Sequence, residues 1–503
     1  MAEPAPMTLP RLRSAEARLG LERLVAWLQV HALLLCATAA YLVLSAWFIP
    51  HAVQSDTWLA LVAGREVAQH GIPAHDALTI WGHGHGWIDQ QWLAQLGFYR
   101  LFALGGFPLV ALAHLVALGA TLSMAVVAAV RLGGSRRAVL WLELVIVLPL
   151  VIWGAAHMRT QSFAYPLFVV VLWLLAADAR SPSRRVFLVL PLLALWGNLH
   201  GTVVLGVALT VVRAATLAWE GRRGRRPRLG RPGALTAGAA LCLFASPYGL
   251  QLVGYYHELL LNPAFARYVR EWEPTHLTAI TVPFFLLAGL TCWLVGRSGS
   301  RLTLFDRLVL LLLFAAGLSA LRSVIWFLLA VLILVPRLLD EVIPAERRPV
   351  RSPVVNATLG AVAVAALGWA LILPLVQPAS WFVEDFPRGG ADALVAAAAR
   401  APGAPIFATE AYSDWLLWEH PPLAGRVAFD ARFELLSVRE LRLAAGFGRD
   451  RAGAAAAVRG FRLVVFDPHG HQFAVRMLLA EPGSRLLYRS SQLVVIERAQ
   501  SRS

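Results

Sequence analysis

The sequence predicts a mainly α-helical protein that crosses a membrane about eleven times and ends in a small α/β domain. Its 503 residues are 58% hydrophobic, and the mean hydropathy is +0.62. These values exclude an ordinary water-soluble globule. Repeated apolar runs of about 18 residues or more are each long enough to cross the hydrocarbon core of a bilayer. We therefore expect an integral membrane protein.

The apolar runs define the predicted spans and the domain limits. They lie approximately at 28–49, 107–130, 138–156, 162–178, 186–198, 201–219, 233–247, 277–295, 303–319, 322–339 and 354–376. Gly197 and Gly201 interrupt the short fifth run near the sixth, so this pair is expected to be broken or re-entrant. The predicted parts are an N-terminal segment 1–27, a membrane domain 28–376 with a large first loop 50–106, and a tail 377–503.

The positive charge predicts the orientation of the chain rather than a nucleic-acid partner. The formal net charge is +15. Much of it lies in short basic segments at 11–23, 131–137, 180–185, 222–231, 297–301 and 337–351. Because they alternate with the spans, all six fall on one side, which the positive-inside rule assigns to the cytoplasm. The N-terminus is then cytoplasmic, and the first loop and the tail are extracytoplasmic.

The tail has the pattern of an α/β domain. Short β-branched runs occur in PIFAT, RVAFD, RLVVFD and QLVVIE, and the stretches SVRELRLAAGF and QFAVRMLLA between them are helical in pattern. Alternating strands and helices favour a largely parallel sheet. The tail lacks a glycine-rich phosphate loop, so the sequence does not support nucleotide binding.

The first loop carries the main candidate for catalysis, Asp56, a few residues after the first span. The residues 55–71 read as an amphipathic helix that can lie in the membrane interface. Asp56 either caps this helix or acts at the membrane surface as a general base or metal ligand.

Two further aspartates, Asp76 and Asp89, surround a GHGHG turn in the same loop. His83 and His85 with flanking carboxylates are able to bind a divalent ion, although the glycines indicate a turn. Asp89 also has the position of a cap for the next helix. The loop tryptophans either stack on sugar faces or anchor the chain in the interface; they are Trp58, Trp81, Trp87 and Trp92.

Other polar residues fall at the predicted outer ends of spans. They are Arg159 and Gln161 in RTQ, Asn198 and His200 in WGNLHG, Arg270 and Glu271 in REWEP, and Arg322 in ALRSVIW. A lone arginine near the end of a span commonly extends its charge to the interface. Several arginines around one cavity would instead bind a lipid phosphate, because the guanidinium fork matches phosphate oxygens.

These motifs resemble those of the GT-C superfamily of membrane glycosyltransferases. The resemblance rests on the outer aspartate, on HGIPAHDALTIWGHGHGWIDQQWLAQ at 70–95, and on the RTQ, WGNLHG, SPYG and EWEP motifs. Similar enzymes are protein O-mannosyltransferases, aminoarabinose transferases and the catalytic subunits of oligosaccharyltransferases. Thr57 stands where mannosyltransferase relatives commonly have the glutamate of an Asp-Glu pair.

The resemblance implies transfer of a sugar from a polyprenyl-phosphate donor to a lipid, glycan or protein acceptor, with inversion, in a bacterial inner membrane. It also implies that Asp56 is the catalytic carboxylate, as base or metal ligand. A divalent metal is possible, but no clear motif requires it. Two other classes stay open: a transporter or flippase of lipid-linked glycans, and a non-catalytic membrane scaffold.

Overall fold

The computed structural model describes residues 9–222, 230–343 and 352–499. Of the predicted cytoplasmic arginine cluster, Arg223, Arg225, Arg226 and Arg228 lie outside the described residues. The same holds for the first eight residues of the predicted N-terminal segment, and for residues 344–351 in the last basic segment.

The described part of the membrane domain is mainly helical. Its helices are α1 Leu9–Phe48, α2 Ser55–His70, α3 Trp92–Arg131, α4 Arg136–Leu150, α5 Ala164–Arg180, α6 Val189–Leu199, α7 Val203–Arg222, α8 Gly230–Leu243, α9 Gln251–Leu261, α10 Pro263–Tyr268, α11 Val282–Ser298, α12 Leu304–Ser319, α13 Val324–Leu334, α14 Pro336–Leu339 and α15 Pro353–Ile372. Each of the eleven predicted spans overlaps at least one of these helices. In the described part, seven helical segments are long and apolar enough to cross a membrane, and the count of eleven stays a prediction.

The centre of the bundle is α13, whose residues are all buried. A helix that is apolar all round must be enclosed by other helices or lipid, because it has no polar face to offer to water. The periphery shows the opposite pattern: Trp47 on α1 is 73% exposed and Leu286 on α11 is 68% exposed. Large exposed apolar side chains on the rim of a bundle are suited to contact with lipid tails.

Segments predicted to share one side of the membrane do meet at one end of the bundle. Arg180 pairs with Asp306 at 3.0 Å, and Arg301 pairs with Glu341 at 2.8 Å. The backbone N–H of Ser135 donates to a carboxylate oxygen of Asp340 at 2.8 Å. These contacts join the ends of α4, α5, α12 and α14. The assignment of this end to the cytoplasm stays a prediction.

The predicted first loop is mostly helix. Helix α2 is confirmed at 55–70, and most of its first half is buried against other parts of the protein. Its position in the membrane interface stays a prediction. Helix α3 begins at Trp92 and bends at Gly105 and Gly106 before the predicted span. Gly106 has φ of +63°, which glycine adopts without the steric cost paid by other residues.

The tail is an α/β domain with a mixed sheet. Its elements are α16 Ala379–Phe382, α17 Arg388–Arg400, β1 Ile406–Ala408, α18 Glu410–Glu419, α19 Val438–Phe447, α20 Arg451–Ala457, β2 Leu463–Phe466, α21 Gln472–Leu479, β3 Arg485–Arg489 and β4 Val494–Glu497. The strand order is β1-β2-β4-β3. Only β1 and β2 run parallel, so the expected largely parallel sheet is wrong. The short turn at 490–493 brings β3 and β4 together as an antiparallel hairpin, which the sequence reading did not identify.

The first loop extends the edge of this sheet. The predicted strand RVAFD is not a strand in the structure, but Val427 within it forms parallel bridges to both Thr79 and Ile406. The backbone N–H of Ile80 donates to the carbonyl of Val427 at 2.8 Å. The loop and the tail are therefore joined by backbone hydrogen bonds as well as by side chains.

A buried ion-pair network reinforces this junction. Arg432 of the tail donates to Asp76 of the loop at 2.7 Å and to Asp430 at 2.9 Å, and its guanidinium lies 4.2 Å above the ring of Trp87. The three charged side chains are at most 2% exposed. A buried arginine with two carboxylates requires all of its partners, because removal of one leaves uncompensated charge.

Substitution of Arg432 by methionine should therefore destabilise the junction strongly. It leaves the buried Asp76 and Asp430 unpaired, at an expected cost of about 3–5 kcal/mol in the free energy of unfolding. Denaturant unfolding in detergent, followed by tryptophan fluorescence, measures this loss. Arg439→Met, at an exposed position on α19, is the control. A loss no larger than that of the control would contradict the structural role of Arg432.

Candidate functional site

One cavity of about 700 Å³ lies between the ends of the helices and the tail. Its polar lining includes Ser55, Asp56, Gln90, Gln91, His157, Arg159, Thr160, Gln161, His200, Tyr255, Tyr256, Arg270, Glu271, Arg322, Glu410 and Glu434. These residues come from the first loop, three inter-helix junctions, helix α9, the loop around 270 and the tail. The cavity is therefore built only when all these segments have packed together.

Seven of the ten candidate residues predicted from the sequence line this cavity. They are Asp56, Arg159, Gln161, His200, Arg270, Glu271 and Arg322. The other three, Asp76, Asp89 and Asn198, are not among its lining residues.

Asp56 does not serve as the cap of α2. The cap is formed by Gln54 and Thr57, since the backbone N–H of Gln54 donates to the Thr57 hydroxyl at 3.2 Å. Asp56 lies in the first turn, and its carboxylate accepts a hydrogen bond from Arg159 at 3.4 Å. The hydroxyl of Thr57 also donates to the carbonyl of Met158. The residue that departs from the family pattern thus fixes Asp56 next to Arg159.

Arg159 joins two carboxylates from separate segments. Helix α4 ends in a π-helical turn at Val151–Ala155, a local distortion that is frequent at functional sites. The chain then extends to Arg159, whose guanidinium lies 3.4 Å from Asp56 and 2.7 Å from Glu271. Burial opposes its charge, but Glu271 and Asp56 raise the pKa of Arg159. The guanidinium is therefore positively charged at neutral pH.

Glu271 is the strongly ionised member of this group. Burial acts to raise its pKa, but Arg159 and Arg322 outweigh it and lower the pKa of Glu271 from 4.5 to about 2. Because 40% of its side chain is exposed, solvent screens the pair.

Arg322 is the cation best placed to bind a ligand. Its guanidinium lies 4.8 Å above the ring of Trp272, and among the described residues it has no hydrogen-bonded carboxylate partner. Arg270 lines the same cavity and is exposed. Stacking on an aromatic ring orients a guanidinium and leaves its N–H donors free for an anion.

Buried neutral groups line the cavity beside these charges. Gln161 is fully buried, and in the described part neither its amide nitrogen nor its amide oxygen has a hydrogen-bond partner. Burial lowers the pKa of both His157 and His200, with Arg159 acting in the same direction. These histidines are therefore neutral at pH 7. A buried polar group without a partner is costly, so Gln161 is suited to bind a polar ligand.

The three remaining candidates contact other parts of the protein. Asp76 binds Arg432 in the buried network described above. Asp89 is hydrogen-bonded to the start of α3, and burial raises its pKa to about 7. The side chain of Asn198 accepts from Trp92 at 2.9 Å and donates to the carbonyl of Ala245 at 2.7 Å. Their positions support structural roles and not direct contact with a ligand in the cavity.

The four loop tryptophans also belong to the scaffold. Trp58 is fully buried between Phe107 and Phe386. Trp81 stacks on Phe429 with ring centroids 5.2 Å apart. Together with Trp87 below Arg432 and Trp92 bonded to Asn198, they make interior contacts. The interpretation that they stack on sugar faces is not supported by these positions.

The tail contributes two carboxyl groups that the sequence reading missed. Glu410 follows β1 directly and begins α18, and Glu434 lies near Arg432. Burial raises the pKa of each to about 7, and the charge of Asp56 adds to both shifts. The one usable signal was the polar Thr409–Glu410 pair at the carboxyl end of a predicted strand, a common position for functional side chains.

The requirement for a divalent metal stays a prediction. The described residues contain no group of three or more His, Cys, Asp or Glu side chains placed to hold a metal ion. His83 and His85 are exposed, and the ring of His85 is hydrogen-bonded to the carbonyl of Leu435 at 2.9 Å. Asp56 and Glu271 are both paired with Arg159.

The same cavity also has an apolar wall. It is formed by Leu205, Ala208, Leu259, Leu260, Leu312, Ala316 and Trp326. A cavity that combines guanidinium groups with aliphatic side chains matches an amphipathic ligand whose anionic head adjoins a hydrocarbon chain.

The fold is similar to that of two solved membrane enzymes. The archaeal oligosaccharyltransferase AglB from Archaeoglobus fulgidus, in complex with an inhibitory peptide and a dolichol-phosphate, matches 92% of this chain and 74% of its own, with a TM-score of 0.51 and 12% identity. ArnT from Cupriavidus metallidurans, bound to undecaprenyl phosphate, matches 93% of this chain and 98% of its own, with a TM-score of 0.50 and 14% identity. No protein-family model and no curated protein matches the sequence. The predicted GT-C-like fold with its α/β tail is thus confirmed.

The pairing of Glu271 with arginine predicts a specific acid response. Its pKa in the folded protein is lower than the ordinary value of 4.5, so the stabilisation is complete above about pH 4.5 and is lost as pH falls towards 2. The melting temperature of the wild type should therefore fall more steeply in this window than that of Glu271→Gln. Glu273→Gln, an exposed neighbour, should retain the wild-type slope. Equal slopes for all three proteins would contradict the pairing.

Proposed function

We propose that this protein is a membrane glycosyltransferase that transfers a sugar from a polyprenyl-phosphate donor to an acceptor at the extracytoplasmic face. The observation that carries the proposal is a single cavity that combines the Asp56 carboxylate, the Arg159 and Arg322 guanidiniums and an apolar wall. The structural likeness to AglB and ArnT supports it, since those proteins were solved with dolichol-phosphate and undecaprenyl phosphate.

The proposed chemistry is a displacement at the anomeric carbon with inversion. An acceptor hydroxyl oxygen forms the new bond to this carbon while its proton passes to the Asp56 carboxylate. The bond from the anomeric carbon to the phosphate oxygen breaks, and the electron pair leaves with the phosphate. The products are the glycosylated acceptor and the polyprenyl phosphate.

The leaving phosphate requires charge stabilisation rather than a proton. Arg322 is available for this role because its guanidinium is oriented by Trp272 and, among the described residues, is not hydrogen-bonded to a carboxylate. Arg159 adds a second positive charge while it holds Asp56 in place. Donors that are already oriented stabilise developing charge without reorganisation during the reaction.

Two other functions have weaker support. A transporter of lipid-linked glycans would carry its ionisable residues along a path near the middle of the membrane. The described ionisable residues of the cavity instead cluster at the end that contacts the tail. A non-catalytic scaffold would not require an unpartnered buried amide such as that of Gln161.

Asp56→Asn tests the catalytic assignment. The amide accepts no proton, so transfer should fall by about 10²–10⁴-fold, the usual contribution of a general base. Glycolipid and glycoprotein profiles of a deletion strain carrying each variant measure the product. Asp392→Asn, exposed on α17, is the control and should restore the wild-type profile. Full activity of Asp56→Asn would refute the assignment. An inactive Asp392→Asn would show that the assay does not report on the site.

Arg322→Ala tests phosphate recognition. Loss of hydrogen bonds between a guanidinium and a phosphate should weaken the binding of undecaprenyl phosphate by about 10–100-fold. Titration of the purified protein by native mass spectrometry measures this Kd. Arg297→Ala, exposed at the end of α11, should bind like the wild type. Unchanged binding by Arg322→Ala would place the phosphate elsewhere.

A further inference from the structure

The described basic groups that line the cavity all come from the membrane domain, which also contributes the carboxylates of Asp56 and Glu271. Every arginine and histidine that lines the cavity, in the part of the chain that the structure describes, belongs to the membrane domain; they are His157, Arg159, His200, Arg270 and Arg322. The tail contributes Glu410, Ala431, Phe433 and Glu434. Both ionisable groups that the tail adds to the cavity are thus carboxyl groups, whereas a phosphate is bound by positively charged groups.

Glu410 lies next to the proposed base. The hydroxyl of Ser55 donates to a carboxyl oxygen of Glu410 at 3.2 Å, and Ser55 directly precedes Asp56. The charge of Asp56 also contributes to the raised pKa of Glu410, as does that of Glu271. The carboxyl groups of Asp56 and Glu410 repel each other when both are ionised. A ligand that donates hydrogen bonds to both of them reduces this repulsion.

The position of Glu410 is fixed by the packing of α18 on α2. At the other end of these helices, Arg65 of α2 donates to the carbonyls of Leu417 at 2.8 Å and Trp418 at 3.1 Å. Its guanidinium also lies 4.9 Å from the ring centroid of Trp418. Helices α2 and α18 therefore run parallel with one register, which places the first residue of α18 beside the first turn of α2.

We propose that Glu410 binds the acceptor and positions its hydroxyl against Asp56, so that the tail forms the acceptor side of the active site. This inference rests on the proposed function. In an inverting displacement the acceptor and the leaving group occupy opposite faces of the anomeric carbon. The membrane-domain guanidiniums suit the phosphate, and the tail carboxyl groups suit the hydroxyl groups of the acceptor. Glu434, on the same wall, is a second hydrogen-bond acceptor for a polyhydroxylated ligand.

The test compares Glu410→Gln, Glu410→Asp and the matched control Glu419→Gln at the far end of α18. Product formation is measured in membranes of the deletion strain, and undecaprenyl phosphate is the probe for binding to the purified proteins. Glu410→Gln should lower product formation by about 10–100-fold, as for loss of one hydrogen bond to a charged group. Its Kd for undecaprenyl phosphate should stay within about twofold of the wild type, since it does not face the phosphate.

The pH profile separates acceptor binding from a structural role. Glu410 accepts hydrogen bonds fully only when ionised, so wild-type activity should fall as pH decreases through about 7. The activity of Glu410→Gln should not show this fall with decreasing pH. Glu410→Asp should show it with partial activity, and Glu419→Gln should match the wild type.

Two results overturn the inference: more than half of wild-type product from Glu410→Gln, or loss of undecaprenyl phosphate binding in that variant. If Asp56→Asn is inactive in the same assay, only the role of Glu410 fails. If Asp56→Asn also keeps its product, the proposed function itself fails.

Discussion

The site depends on one interaction, the contact of the Arg159 guanidinium with Asp56 and Glu271. These three side chains come from the start of α2, the junction between α4 and α5, and the loop before α11. A charged guanidinium with little exposure to water is stable only with close carboxylates. The two ion pairs of Arg159 therefore hold three separate segments of the protein together. The position of Asp56 in the cavity lining and the low pKa of Glu271 both follow from this arrangement.

Two separate sets of contacts attach the tail to the first loop. One is the buried network in which Arg432 holds Asp76 of the first loop. The other is the packing of α18 on α2, with Arg65 bonded to the end of α18. Because the tail supplies part of the cavity wall, a loosened tail would change the shape of the site as well as its own stability. The attachment of the tail therefore bears on the cavity as well as on the stability of the α/β domain.

The sequence was most informative for residue types that are stable in only a few environments. Arginines at the ends of apolar runs cannot lie in hydrocarbon, so Arg159 and Arg322 were correctly placed at one end of the bundle with His200 and Glu271. The aspartates were harder to separate, because capping, ion pairing and catalysis all favour the same residue type in a loop. Asp76 and Asp56 look alike in the sequence, yet one binds Arg432, more than 350 positions away, and the other faces the cavity.

The sequence by itself determined the membrane class, the positions of the apolar segments and all five described arginine, aspartate and glutamate residues that the membrane domain contributes to the cavity. These follow from hydropathy and charge, which act locally along the chain. Only the tertiary structure decided that Glu410 and Glu434 join the cavity, that Thr57 rather than Asp56 caps α2, and that the sheet is mixed. The cavity lining and the strand order depend on contacts between segments far apart in the chain, and a local pattern carries no information about which distant partner a side chain or strand will meet. The cap of α2 is a local contact, but several polar residues at the start of the helix were equally able to make it.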